Sequence, residues 1–264
     1  MRIRRLLSAT FTLLLAAVLS FAFVSPASAA APSYVALGDS YSSGVGAGSY
    51  DSASGDCRRS AYAYPRLWAN ANSPASFSFV ACSGATTASV TSSQLGALSS
   101  TTGLVSISVG GNDVGFADVM TDCVLWSTST CVSAVNAAIN EVRTILPGNL
   151  DRLYSQIRSR SPNAQVFVLG YPRFYQLNGT CVVGMTETER AAINNGADVL
   201  NSVIAQRAAA AGFTFVDIAG PFTGHGICSG SSWLHSVTLP VYESYHPTRA
   251  GQTSGYLPAF SAAV

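Results

Sequence analysis

Four short segments hold residues whose types could act together in chemistry. They are Gly38-Asp39-Ser40-Tyr41-Ser42, Cys82-Ser83-Gly84-Ala85, Gly110-Gly111-Asn112-Asp113 and Glu243-Ser244-Tyr245-His246-Pro247. Acyl transfer needs a hydroxyl nucleophile, a base within hydrogen-bond reach and donors aimed at the developing oxyanion. Ser40 offers the hydroxyl. His246 offers the base, with an ordinary imidazole pKa of about 6.5. Gly84 has no side chain, so its N–H can approach a substrate closely. The Asn112 amide is a donor that does not titrate, and one such donor can contribute roughly 3 kcal/mol to a transition state. Taken singly these signals are weak. Gly-Asp-Ser arises by chance, Asp and Ser favour helix N-caps, and Asn is a turn former.

The elements that must carry these residues alternate between strand and helix. Short runs rich in β-branched or aromatic residues lie at 34–37, 77–81, 104–109, 165–169 and 213–218. Helical spacing covers 63–71, a stretch from 133 to 160 broken near Pro147-Gly148, and 186–211. Thr186 and Glu189 suit the start of that last helix and Gly212 its end. A final helix is expected from about Thr248. Alternation of this kind predicts a doubly wound α/β domain with about five parallel strands. In such sheets ligands sit beyond the carboxyl ends of the strands. Three of the four segments directly follow strands one, two and three. The fourth lies beyond strand five, and all four are expected at one edge. Tyr171 to Tyr175, after strand four, is placed to line the same crevice. No repeat or long linker divides residues 31–264, so a single domain is expected there.

Composition narrows the function classes. The net charge is +1, or −2 without Arg2, Arg4 and Arg5, and only 10% of residues are charged. No basic patch points to nucleic acid. Arg2 to Arg5, an apolar run from Leu6 to Val24 and the small residues at Ala27 and Ala29 read as a signal peptide over residues 1–30. A secreted protein without a membrane anchor, and a monomer, is expected. Six cysteines in an exported chain read as disulfides. Cys123 and Cys131 are close and are paired first; sequential pairing of the rest gives Cys57–Cys82 and Cys181–Cys228. No C-x-x-C is present and the three histidines lack ligand spacing, so neither metal nor cofactor is expected.

Together, and in this order along the chain, the four segments resemble the blocks of the SGNH, or GDSL, hydrolase family. The likeness covers residues 34 to about 250 and is nearest to secreted actinobacterial lipases with three disulfides. It implies a three-layer, flavodoxin-like sheet of the SGNH-hydrolase type. It also implies Ser40 as nucleophile, His246 as base, and an oxyanion hole of the Ser40 N–H, the Gly84 N–H and the Asn112 side chain. Family members usually place Asp three residues before the histidine, where this chain has Glu243. Some similar lipases use a backbone carbonyl two residues before it, here that of Ser244, and both alternatives stay open. The expected function is hydrolysis of lipid acyl esters through an acyl-enzyme. A phospholipase or carbohydrate esterase on the same fold is the nearest alternative, and a non-catalytic secreted binding module the remote one. The absence of a G-x-S-x-G elbow argues against the α/β-hydrolase type of lipase.

Overall fold

Five short apolar runs become strands: β1 (Ser33–Ala36), β2 (Ser76–Phe79), β3 (Thr102–Ile107), β4 (Gln165–Leu169) and β5 (Thr214–Val216). In the computed structural model, which describes residues 31–264, they form one parallel sheet in the order β2-β1-β3-β4-β5. The signal peptide expected over residues 1–30 lies outside the described residues. Among the described residues, eight α-helices accompany the sheet. They are α1 (Ser40–Ser43), α2 (Tyr64–Asn72), α3 (Thr87–Ser93), α4 (Phe116–Leu125), α5 (Thr128–Thr144), α6 (Leu146–Arg160), α7 (Glu187–Ala210) and α8 (Leu257–Ala263). The strand order reverses between β1 and β3, so a crevice opens beyond their carboxyl ends.

Local chemistry explains most of the boundaries. Thr186 and Glu189 form a reciprocal capping box that starts α7. The stretch expected as one broken helix is two, α5 and α6. Pro147 sits in the first turn of α6, where its missing N–H costs no helical bond. Two helices were not apparent from spacing. The α3 sequence, TASVTSS, is a weak helix former held by a capping box of Thr86 and Ser89. The other, α4, begins at Phe116 directly after Gly115, whose φ of +66° separates it from a preceding 3-10 turn. The C-terminal helix is also displaced. A π-helical turn spans Gly251–Tyr256, where Gly251 and Gly255 lie against Phe222, and regular α8 follows only at Leu257.

Burial differs between the two faces of the sheet. On one face α2 and α8 pack together, and Tyr34 meets Trp68, Phe77 and Phe260. The same face carries a buried column of hydroxyls. Tyr34 bonds to Ser106 at 2.7 Å, and Ser42 bonds to Tyr64 at 3.1 Å and Ser108 at 2.7 Å. The alternate residues of the strands, Val35, Val105 and Val166 among them, are aliphatic and buried. They belong to the face covered by the second helix group, in which α6 packs on α3, α5 and α7. The disulfides Cys57–Cys82 and Cys181–Cys228 tie connecting segments together, and Cys123–Cys131 joins α4 to α5. Among the described residues, no helix is long and apolar enough to cross a membrane.

Candidate active site

Ser40 stands where β1 gives way to α1. Gly38 makes the turn possible. Its φ is +123°, and a side chain there would collide with the Ser108 backbone and the Ser42 hydroxyl. The Gln94 side chain holds the Gly38 peptide at both ends, with its amide donating to the Gly38 carbonyl and its oxygen accepting the Gly38 N–H, each at 2.8 Å. Asp39 caps α1, accepting the Tyr41 N–H at 3.0 Å. Its carboxylate also accepts the hydroxyls of Ser108, at 2.6 Å, and Tyr171. Burial pushes the Asp39 pKa up to about 6, and these hydrogen bonds oppose the rise. As the first residue of the helix, Ser40 keeps its N–H outside the intrahelical ladder.

His246 reaches Ser40 from the other end of the chain. Its Nε2 lies 2.7 Å from Ser40 Oγ. Its Nδ1 lies 2.9 Å from the carbonyl of Ser244. A donor at Nδ1 fixes the tautomer that leaves Nε2 as the acceptor facing the serine. Tyr245 brings this about by adopting a left-handed φ of +63°, which folds the Ser244 carbonyl back onto the ring. Its own carbonyl accepts the Tyr41 hydroxyl at 2.8 Å, tying this loop to α1. The Glu243 carboxylate turns elsewhere and accepts the Tyr50 hydroxyl at 2.6 Å. Of the two alternatives for a group on Nδ1, the carbonyl is therefore the one in contact. Burial lowers the His246 pKa to about 4; the bond to the Ser244 carbonyl opposes the shift, and the nearby His235 and Arg58 add to it. The ring is thus neutral at pH 7, as a general base must be.

The two remaining segments close the crevice. Gly84 has a φ of +77°, and nothing lies within 4 Å of where a Cβ would stand, so its backbone borders open space. Asn112 donates one amide hydrogen to the Ala85 carbonyl at 3.0 Å. The second amide hydrogen remains for another acceptor. That bond also ties the loop after β3 to the loop holding Gly84. Asp113 accepts the N–H of Thr87 at 2.9 Å and its hydroxyl, bracing the start of α3. Ser40, Gly84, Asn112 and His246 all line one cavity of about 530 Å³. Behind them it is walled by apolar side chains of α4, α5 and α7, including Met120, Ile139 and Ala197.

The family model for GDSL-like lipase/acylhydrolases matches residues 36–253, which contain all four segments. The chain belongs to this family. It is 63% identical to Lipase 1 of Streptomyces coelicolor over 89% of this chain and 88% of that protein. The crystal structure of phospholipase A1 from Streptomyces albidoflavus NA297 superposes with a TM-score of 0.87 at 64% identity, covering 89% of this chain and all of that one. That of an extracellular lipase from Streptomyces rimosus superposes with the same TM-score at 56% identity and the same coverage. The protein is a carboxylic ester hydrolase of the lipase/esterase type.

In this GDSL-like hydrolase some supporting residues were not legible in the sequence. Gln94 and Tyr171 act on the site from 56 and 132 positions away, across hydrogen bonds to Gly38 and Asp39. No spacing rule links such pairs. Tyr171 was expected only to line the crevice by its place after β4. It does line the cavity, and it also holds Asp39 and receives the Gly111 N–H at 3.3 Å. His225 and His235 are engaged locally, with the Ser231 and Gly46 carbonyls.

Proposed function

We propose that the protein hydrolyses lipid acyl esters through an acyl-enzyme on Ser40. The observation that carries this reading is the 2.7 Å contact of His246 Nε2 with Ser40 Oγ at the mouth of the apolar cavity. Ser40 Oγ attacks the ester carbonyl and passes its proton to His246. The N–H groups of Ser40 and Gly84 and the Asn112 amide stabilise the oxyanion. The ester C–O bond then breaks, and the leaving alcohol takes the proton from His246. Water, deprotonated by the same imidazole, attacks the acyl-enzyme and releases the acid. The Ser244 carbonyl, rather than Glu243, steadies the imidazolium.

The cavity supports a long acyl chain as substrate. Each methylene moved from water to an apolar wall contributes about 0.8 kcal/mol, and an acetyl group would leave most of about 530 Å³ empty. The 64% identity to a phospholipase A1 makes glycerophospholipids one substrate class within this reading. Residues 31–264 form the catalytic domain, exported after removal of residues 1–30. Three disulfides suit an oxidising compartment, and the S. rimosus relative is extracellular.

The test is labelling with a fluorophosphonate, followed by peptide mapping and by turnover of nitrophenyl esters of increasing chain length, acetylated xylan and a phospholipid. A Ser40 adduct and a preference for longer acyl esters are expected. An adduct on another serine overturns the site. No adduct and no turnover return the chain to a binding module.

A further inference from the structure

Two stretches of exposed apolar side chains border the cavity mouth, and a third lies close to them. Leu125 and Trp126, at the end of α4, are each more than 60% exposed. Val237, Leu239 and Val241 belong to the loop before His246, and Leu239 is 83% exposed. Val182 and Val183 are 94% and 81% exposed. Val124, Leu125, Val237, Val241 and Tyr242 line the cavity itself, so the first two stretches flank the same opening. The third joins them at α5, where the hydroxyls of Thr128 and Thr186 are 3.5 Å apart.

The first two share one chemistry. Residues 124–133 and 236–242 contain no Asp, Glu, Lys or Arg, and their polar members are mainly Ser and Thr. Large apolar side chains are rarely left in water as contiguous groups, and such groups mark contact surfaces. Here the surface is continuous with the apolar wall of the cavity. A partner protein would cover the opening that the substrate must enter. A lipid layer would cover it and at the same time deliver the acyl chain. Trp, with its apolar body and N–H, suits the boundary between acyl chains and headgroups.

We infer that this rim is a lipid-docking surface. It seats the enzyme on aggregated lipid, with Trp126, Val183 and Leu239 dipping into the layer and the cavity mouth facing the acyl chains. Because the stretches 124–133 and 236–242 carry no charged side chain of their own, docking needs no anionic headgroup and acts on zwitterionic lipid. The inference rests on the reading of the substrate as a lipid ester.

The test separates docking from turnover. The full chain carrying Ser40→Ala is sedimented with dioleoylphosphatidylcholine vesicles, with and without Trp126→Asp and Leu239→Asp. Neither residue lines the cavity. Vesicle affinity should fall about tenfold or more in the substituted chain, since burying one such side chain is worth at least that factor. With Ser40 intact, the double variant should turn over nitrophenyl butyrate within about twofold of the parent, because soluble ester needs no surface. Val183→Asp, in a separate loop, gives the same reading if the double variant does not fold. Vesicle binding unchanged by both sets overturns the inference, as does equal loss of soluble turnover. A concentration-dependent dimer abolished by Trp126→Asp would assign the rim to a second copy of the chain and also overturn it. Failure of the ester reading is recognised separately, by an absence of turnover on every ester while the Ser40→Ala chain still binds vesicles.

Discussion

The Tyr171 hydroxyl donates to the buried Asp39 carboxylate while accepting the Gly111 N–H at 3.3 Å. One side chain at the end of β4 thus braces the residue before Ser40 and the residue before Asn112. Ser40 and Asn112, the proposed nucleophile and oxyanion donor, follow different strands, β1 and β3, and their spacing decides whether a tetrahedral intermediate fits. Tyr171→Phe removes the bridge and leaves a buried carboxylate oxygen and an N–H without it. Each unsatisfied group costs about 1–3 kcal/mol. We expect kcat to fall about tenfold to a hundredfold on a soluble ester, with KM nearly unchanged, since the ring still packs against Tyr41. A change confined to KM would place Tyr171 in substrate binding instead.

The acid limb of activity should report His246. Its pKa is lowered to about 4, mainly by burial, so the neutral base persists well below the ordinary imidazole value. The sign follows directly. Protonation removes the base, and a depressed pKa moves that loss to lower pH. The kcat/KM profile should hold from neutrality through pH 5 and drop about tenfold per pH unit below about 4. Asp39, raised to about 6, is the other group that titrates nearby. A limb near 6.5 in the parent that persists in Asp39→Asn would show an imidazole left in water, contrary to the geometry.

Glu243→Ala tests the partner of the imidazole. Its carboxylate bonds Tyr50, and the Ser244 carbonyl is already 2.9 Å from Nδ1. The substitution should cost less than about fivefold in kcat, with at most about 1 kcal/mol of stability from the lost Tyr50 bond. A loss on the order of a thousandfold would restore Glu243 as the third member. Thermal unfolding alongside the kinetics separates the two effects.

This choice marks the boundary of what the sequence discloses. Ser40, Gly84 and Asn112 follow strands whose apolar runs are plain, and the switch-point rule then brings them together. The group on Nδ1 is different. It is a backbone carbonyl, aimed by a left-handed Tyr245, and tyrosine gives no signal for that conformation. Gln94 is equally silent, since a glutamine at the end of a serine-rich helix looks like surface until the Gly38 peptide is seen between its two amide atoms. The helix α3 escaped for a related reason. Its residues are poor helix formers, and what holds it is a capping box together with Asp113, a residue on another loop. The fold shows in patterns local to each element, whereas the supports of the site are long-range and polar.

The cavity wall should set acyl length. Ala197, on α7, is buried and lines the cavity among apolar side chains of α4 and α5. Ala197→Leu adds three carbons to the wall and removes space for about as many methylenes of substrate. At about 0.8 kcal/mol each, the loss on a long ester is roughly 2 kcal/mol, or about thirtyfold in kcat/KM. A butyrate ester does not reach that depth and should stay within about threefold of the parent. The measurement is the ratio of kcat/KM for dodecanoate and butyrate esters, both presented below their aggregation limits so that surface docking plays no part. An unchanged ratio would mean that acyl chains run along the exposed rim and leave the space between the helices unused.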